Sequence, residues 1–237
     1  MKKLLLTLSI AILIIPASAQ KFSGGFEGGF IYSWLNTNSK NATTVNGRLN
    51  FTYGAFLDKN LSDVFTLTTG INSNYLGGAV RYKDPITLNW DDKDYNISKD
   101  AKITYKIQQL EIPISIKGKT QEIGYITYFG RLGMSPAIVI KSRADIEGTV
   151  MDPENKLVTD EEDLVDLNIK KNINPFNIGW HVGGGIEYSL GGSTSVIAEL
   201  MFSQNFLSMT KDNITEPTDN SVKLTNSFVV LKAGIKF

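Results

Sequence analysis

The chain has 237 residues, with 24 Lys plus Arg against 24 Asp plus Glu, one His and no Cys. That length suits one domain, and the lack of cysteine excludes a disulfide framework, a thiolate zinc site, a cysteine nucleophile and a lipid-bearing N-terminal Cys. Setting aside a leader that holds Lys2 and Lys3 leaves 22 basic against 24 acidic groups, a balance that argues against nucleic acid as a partner.

Residues 1–19 carry the three parts of a secretory signal: Lys2 and Lys3, an apolar run from Leu4 to Ile15, then Ala17, Ser18 and Ala19. Cleavage is expected after Ala19, which leaves 20–237 as the mature domain. The apolar run is twelve residues long. At helical rise it spans about 18 Å, short of a roughly 30 Å hydrocarbon core. No later segment approaches about 20 consecutive apolar residues, so any membrane role requires strands.

From Phe22 onward the dominant period is two. Phe26, Gly28, Phe30, Tyr32 and Trp34 alternate with Gly25, Glu27, Gly29, Ile31 and Ser33, and Leu49 to Leu57 alternate with Arg48 to Phe56. The pattern returns in Phe65 to Ile71, Leu110 to Ile116, Ile126 to Met134, Phe176 to Tyr188, Val196 to Phe202 and Val229 to Phe237. Eight strands are predicted. Their connections alternate as well. Stretches 58–63, 118–124 and 190–193 are short, whereas 36–46, 77–102, 141–175 and 207–222 are long and polar. Greek-key sandwiches have no reason to keep that order. It is the layout of an all-β, eight-stranded, antiparallel, up-and-down transmembrane barrel, with termini and short turns in the periplasm and long loops outside. Trp34, Tyr75, Phe176, Tyr188 and Phe237 sit near segment ends on the apolar face, as interfacial aromatics do.

An eight-stranded barrel is narrow enough for its own side chains to fill it. The polar face offers Glu27, Glu111, Glu187 and Glu199 against Arg48, Arg131, Lys117, Lys232 and Lys236. Unpaired charges there would be costly, so a charge-paired lumen network is expected. A hairpin symmetric about Gln121 sets Glu111 opposite Arg131 as a bidentate candidate. Glu27 on the first strand and Lys232 on the last are expected to pair across the closing seam.

His181 is the sole histidine, so no multi-histidine metal centre exists. A set of His181, Glu187 and Ser203 lacks any nucleophile signature, and a structural lumen histidine is the favoured reading. Between 141 and 175 nine acids face five bases, but Asp160 to Asp163 lack the spacing and glycine of a calcium loop. No catalytic residue, metal site or cofactor is expected. Gly24, Gly25, Gly28 and Gly29 precede no helix and read as glycines of a curving strand.

Several segments resemble the PorT-like outer-membrane β-barrel proteins of Bacteroidota. They are QLEIPISIKGK at 109–119, YFGRLGMSPAIVI at 128–140, GWHVGGGIEYSLGG at 179–192, VIAELMFSQNFLSM at 196–209 and the ending LKAGIKF. The resemblance implies an outer-membrane location and a terminal Phe237 read by the assembly machinery; Ile235 stands where a second aromatic is common. It does not carry over a role in secretion. The expected function is non-enzymatic: a plugged barrel in outer-membrane lipid whose segments 77–102 and 141–175 bind an extracellular or envelope partner. A narrow pore through Gly54, Gly70 and Gly183 is the alternative. A lipid-modifying enzyme using His181 and a soluble lipocalin-like carrier rank below it.

Overall fold

The computed structural model describes residues 22–158, 164–211 and 222–237. The leader, Asp160 to Asp163 and most of 207–222 therefore lie outside the described residues.

Eight antiparallel strands close into a barrel. In chain order the elements are β1 (Phe22–Thr37), β2 (Ala42–Asn60), β3 (Phe65–Tyr82), β4 (Ile86–Trp90), β5 (Lys93–Ile97), β6 (Ala101–Glu111), β7 (Ile114–Lys119), β8 (Ile126–Glu147), β9 (Val150–Met151), β10 (Leu167–Asn168), β11 (Phe176–Gly191), β12 (Thr194–Asn205) and β13 (Leu224–Lys236). β6 and β7 are two halves of one barrel strand, both paired with β3 and β8. They part at Ile112 and Pro113, where proline has no N–H for the ladder. β13 returns to β1 with Gly29 opposite Lys232 and Glu27 opposite Gly234, which removes the last free edge. Closure is what lipid demands, since an unpaired backbone group has no water there.

Outward side chains in the lower part of the barrel are apolar and exposed, among them Phe26, Leu49, Leu132 and Leu231. Inward ones are polar and buried, among them Thr68, Asn72, Ser115, His181 and Glu199. Higher up the strands the two faces exchange character. On β6, Ala101, Ile103, Tyr105 and Ile107 turn inward and are buried, while Lys102, Thr104, Lys106 and Gln108 turn outward. Below them Gln109 and Glu111 point in and Leu110 points out. β8 makes the same exchange across a bulge at Ile140, with Ser142, Ala144 and Ile146 inside and Lys141, Arg143, Asp145 and Glu147 outside. The switch marks the outer edge of the membrane: apolar groups face lipid below it and shun water above it.

The connections are correspondingly shorter than the polar stretches imply. β1 and β2 run through most of 36–46 and leave residues 38–41 between them. β3 and β6 take up both ends of 77–102, and β8 runs to Glu147 in 141–175. Between the strands, β4, β5 and β9 form a second sheet. The β4–β5 hairpin turns at Asp91 and Asp92, both at positive φ (50° and 62°), the geometry that matches strand twist in a two-residue turn.

Candidate functional site

The barrel interior is built in layers. Nearest the periplasmic turns, Lys117 Nζ lies 2.9 Å from Glu187 Oε1 and also bonds Asp58, while Lys236 bonds the other oxygen of Glu187. Thr68 donates its hydroxyl to Asp58 at 2.6 Å, and the Lys117 ammonium stands 5.2 Å over the Phe129 ring. Phe56, Phe129 and Ile197 meet at this end as a small apolar cluster. Above them Lys232 Nζ stands 2.6 Å from Glu27 Oε1, across the β1–β13 seam. Arg131 Nη2 stands 2.5 Å from Glu199 Oε2. A cavity of about 10 Å³ remains between Glu27, Phe56, Lys117, Phe129, Arg131 and Glu199, room for one water at most.

The next layer holds His181, which is wholly buried. Ser115 Oγ lies 2.7 Å from Nε2 and Ser135 Oγ 2.8 Å from Nδ1, so both ring nitrogens are occupied. Ser203 instead donates to the Trp180 carbonyl at 3.1 Å, and Glu187 is bound to lysines. The set of His181, Glu187 and Ser203 is therefore not assembled. Glu111 Oε2 accepts from Asn74 Nδ2 at 2.7 Å.

Two expectations require correction. Arg131 lies opposite Lys117, and Glu111 opposite Ala137, so the Glu111–Arg131 pair does not form. The hairpin is centred three residues beyond Gln121: Gly124, at φ +67°, takes the turn and Ile123 bridges Ile126. That moves each residue of β7 past its presumed partner on β8. Arg48 makes no ion pair with an interior carboxylate among the described residues. The β2–β3 ladder is interrupted between Gly47 and Thr52, and there Arg48 lines a cavity with Lys106, Lys141 and Arg143.

Asp58, which the short stretch 58–63 places in a turn, is instead part of β2 and of the buried interior. The even-numbered inward series of β2, through Thr52 and Phe56, points to it. The glycines read as possible openings border occupied space. A Cβ at Gly54 would come within 2.1 Å of Asn72 Oδ1, and one at Gly183 within 2.9 Å of Met201 Cβ.

Beyond the membrane edge the mouth is capped. Inward Leu35, Val80, Tyr82, Tyr105 and Phe228 pack with Leu88, Trp90, Ile97, Val150, Ile169 and Met209 from the connecting segments in one apolar core. Trp90 stacks on Tyr95 with ring centroids 3.6 Å apart, and Tyr82 and Tyr105 share a hydroxyl hydrogen bond of 2.7 Å. Asn172 fastens β4 from the far connection, its Nδ2 donating to the Asn89 carbonyl at 2.6 Å.

A closed eight-stranded barrel, apolar outside, polar inside, with termini and short turns at one end, defines an outer-membrane β-barrel protein. Residues 18–209 match the model of the outer membrane protein beta-barrel domain, and the chain belongs to that family. No curated protein matches it. Among solved structures it is similar to the outer membrane protein OprG from Pseudomonas aeruginosa, at 11% identity over 92% of this chain and 96% of that one, with a TM-score of 0.45. It is also similar to Neisserial surface protein A, at 12% identity over 91% and 97%, TM-score 0.42. A third is Ail, the attachment invasion locus protein of Yersinia pestis, at 7% identity over 92% and 99%, TM-score 0.39.

Proposed function

We propose that this chain is a non-enzymatic, non-conducting barrel of the PorT-like kind whose working surface is its outer cap, offered to an extracellular or envelope partner for binding or for envelope- or secretion-related assembly. The observation that carries the reading is closure of the interior at two levels, by the charged layers and by the apolar cap, with about 10 Å³ left at the lower one. A lipid-modifying reaction based on His181 would need that imidazole within reach of substrate, and it is held on both sides in the buried interior. The partner-facing parts are the connections beyond the barrel wall within 77–102 and 141–175. Outer-membrane lipid surrounds the belt, and the assembly machinery reads the last strand through Phe237, whose exposed ring lies 6.2 Å from that of Phe26. Export proceeds by removal of residues 1–19 after Ala19.

The test is single-channel conductance of the mature chain refolded into a planar bilayer, with a heat-modifiable gel shift to verify the folded barrel. The expected outcome is a silent bilayer with insertion verified. Discrete conductance steps would overturn the reading in favour of a narrow pore.

A further inference from the structure

The outer wall changes from apolar to charged along the line where Leu110 gives way to Gln108 on β6 and Ile140 to Lys141 on β8. On that line, where the β2–β3 ladder is interrupted, lies a cavity of about 180 Å³ bordered by Arg48, Asn50, Tyr75, Lys106, Lys141 and Arg143. Lys106 is paired with Asp145 at 2.6 Å and Arg143 with Asp166 at 4.0 Å. Arg48 and Lys141 have no acidic partner among the described residues, so the site keeps an excess of two positive charges, four cations against two carboxylates. Arg48 Nη1 and Asn50 Nδ2 are both buried there and donate to no protein acceptor among the described residues. Two buried donors without acceptors beside an excess of cations call for an anion rich in oxygen.

Directly below is an apolar furrow of about 520 Å³ on the membrane-facing wall, flanked by Phe26, Tyr53, Ile71, Leu110 and Ile140. It exists because Ala55 is small among its large outward neighbours. Gln108 borders both spaces and joins them, donating to Ser73 Oγ at 3.1 Å and to Tyr75 Oη at 2.8 Å. A cationic cavity adjoining an apolar furrow at Gln108, across the membrane edge, matches an amphiphile with an anionic head. Its position at the loop end of the barrel assigns it to the outer leaflet.

We propose that this is a site for one phosphorylated acyl glycolipid of the outer leaflet, its phosphate received by Arg48, Asn50 and Lys141 and one acyl chain laid in the furrow over Ala55. The proposal stands on the outer wall and is independent of whether the lumen conducts.

The test uses native mass spectrometry of the full mature barrel refolded in neutral detergent. The probes are lipid A, the same lipid with its phosphates removed, and inorganic phosphate. One lipid A per barrel should be retained, about tenfold or more above the dephosphorylated form, the scale of one or two charge-assisted contacts. Inorganic phosphate should be held far more weakly. Arg48→Ala and Lys141→Glu should each lower lipid A retention by about tenfold, and Ala55→Trp should lower it by filling the furrow. Lys141 and Ala55 face outward, so those variants keep the test valid if Arg48→Ala does not give the folded gel band. Equal retention of the two lipids, wild-type retention by Lys141→Glu and Ala55→Trp, or phosphate held as tightly as lipid A would each overturn the proposal.

Discussion

Lys117→Met isolates the energetics of the filled interior. The ammonium serves two carboxylates, Asp58 and Glu187, and all three side chains are 6% exposed or less. Removing one partner of a buried ion pair costs about 3–5 kcal/mol, because the other charge stays buried without compensation. Glu187 keeps Lys236, so the loss falls on Asp58, which is left with the Thr68 hydroxyl. We therefore expect the lower part of that range, about 3–4 kcal/mol. The double variant Asp58→Asn, Lys117→Met removes both charges and should recover at least about half the loss. The assay is urea-dependent unfolding in lipid vesicles, followed by fluorescence of the three tryptophans and by the cold gel shift. Lys156→Met provides the control, since its pair with Glu154 is 73% and 71% exposed and should matter by no more than about 0.5 kcal/mol. A Lys117→Met barrel within about 1 kcal/mol of wild type, or strict additivity in the double variant, would refute the argument.

Two further perturbations examine the seam and the cap, beside the conductance and lipid experiments. Gly25→Leu should abolish the heat-modifiable folded band, because a Cβ there would lie 2.0 Å from the Ile235 carbonyl oxygen and 2.8 Å from Phe56 Cζ. A normal gel shift would show that β1 and β13 do not approach so closely at Gly25. Trp90→Ala removes a side chain that is 4% exposed and stacked on Tyr95, a loss of about 3–5 kcal/mol for a buried aromatic. The cost should be local: faster protease cleavage within 83–100 on the folded barrel, with the gel shift retained. Cleavage as slow as in wild type would count against a cap held by this core.

Alternation made the barrel legible because it is imposed by lipid on one side and a crowded polar interior on the other, and it located all eight strands and their inward faces. Its reach ends with the membrane. On β6 the inward series Ala101, Ile103, Tyr105, Ile107 is as regular as the outward series Leu110, Ile112, but it has the opposite phase, so 77–102 reads as a polar loop when only one phase is sought. On β8 the bulge at Ile140 works the other way: the apolar series keeps its even numbering through Ala144 and Ile146 while the side chains pass from the outer wall to the interior, so the sequence gives no sign that the wall continues. Registers are less legible still. A period of two is unchanged by a shift of an even number of residues, so moving the turn from Gln121 to Gly124 leaves every side chain on its proper face while replacing Glu111 by Lys117 opposite Arg131. Composition of the interior is thus readable from one strand at a time, whereas the identity of its pairs depends on turn geometry, here fixed by a glycine at positive φ. Glu27 and Lys232 were less exposed to that error, since closure confines the seam to the ends of the chain, near the same rim. The phase inversion also has a functional consequence. A strand that exchanges its faces must place its last lipid-facing residue beside its first water-facing one, and Leu110 with Gln108 and Ile140 with Lys141 do so on adjacent strands. The contiguous cationic cavity and apolar furrow follow from that exchange together with two local departures from regularity, the open ladder at 48–51 and the small outward Ala55.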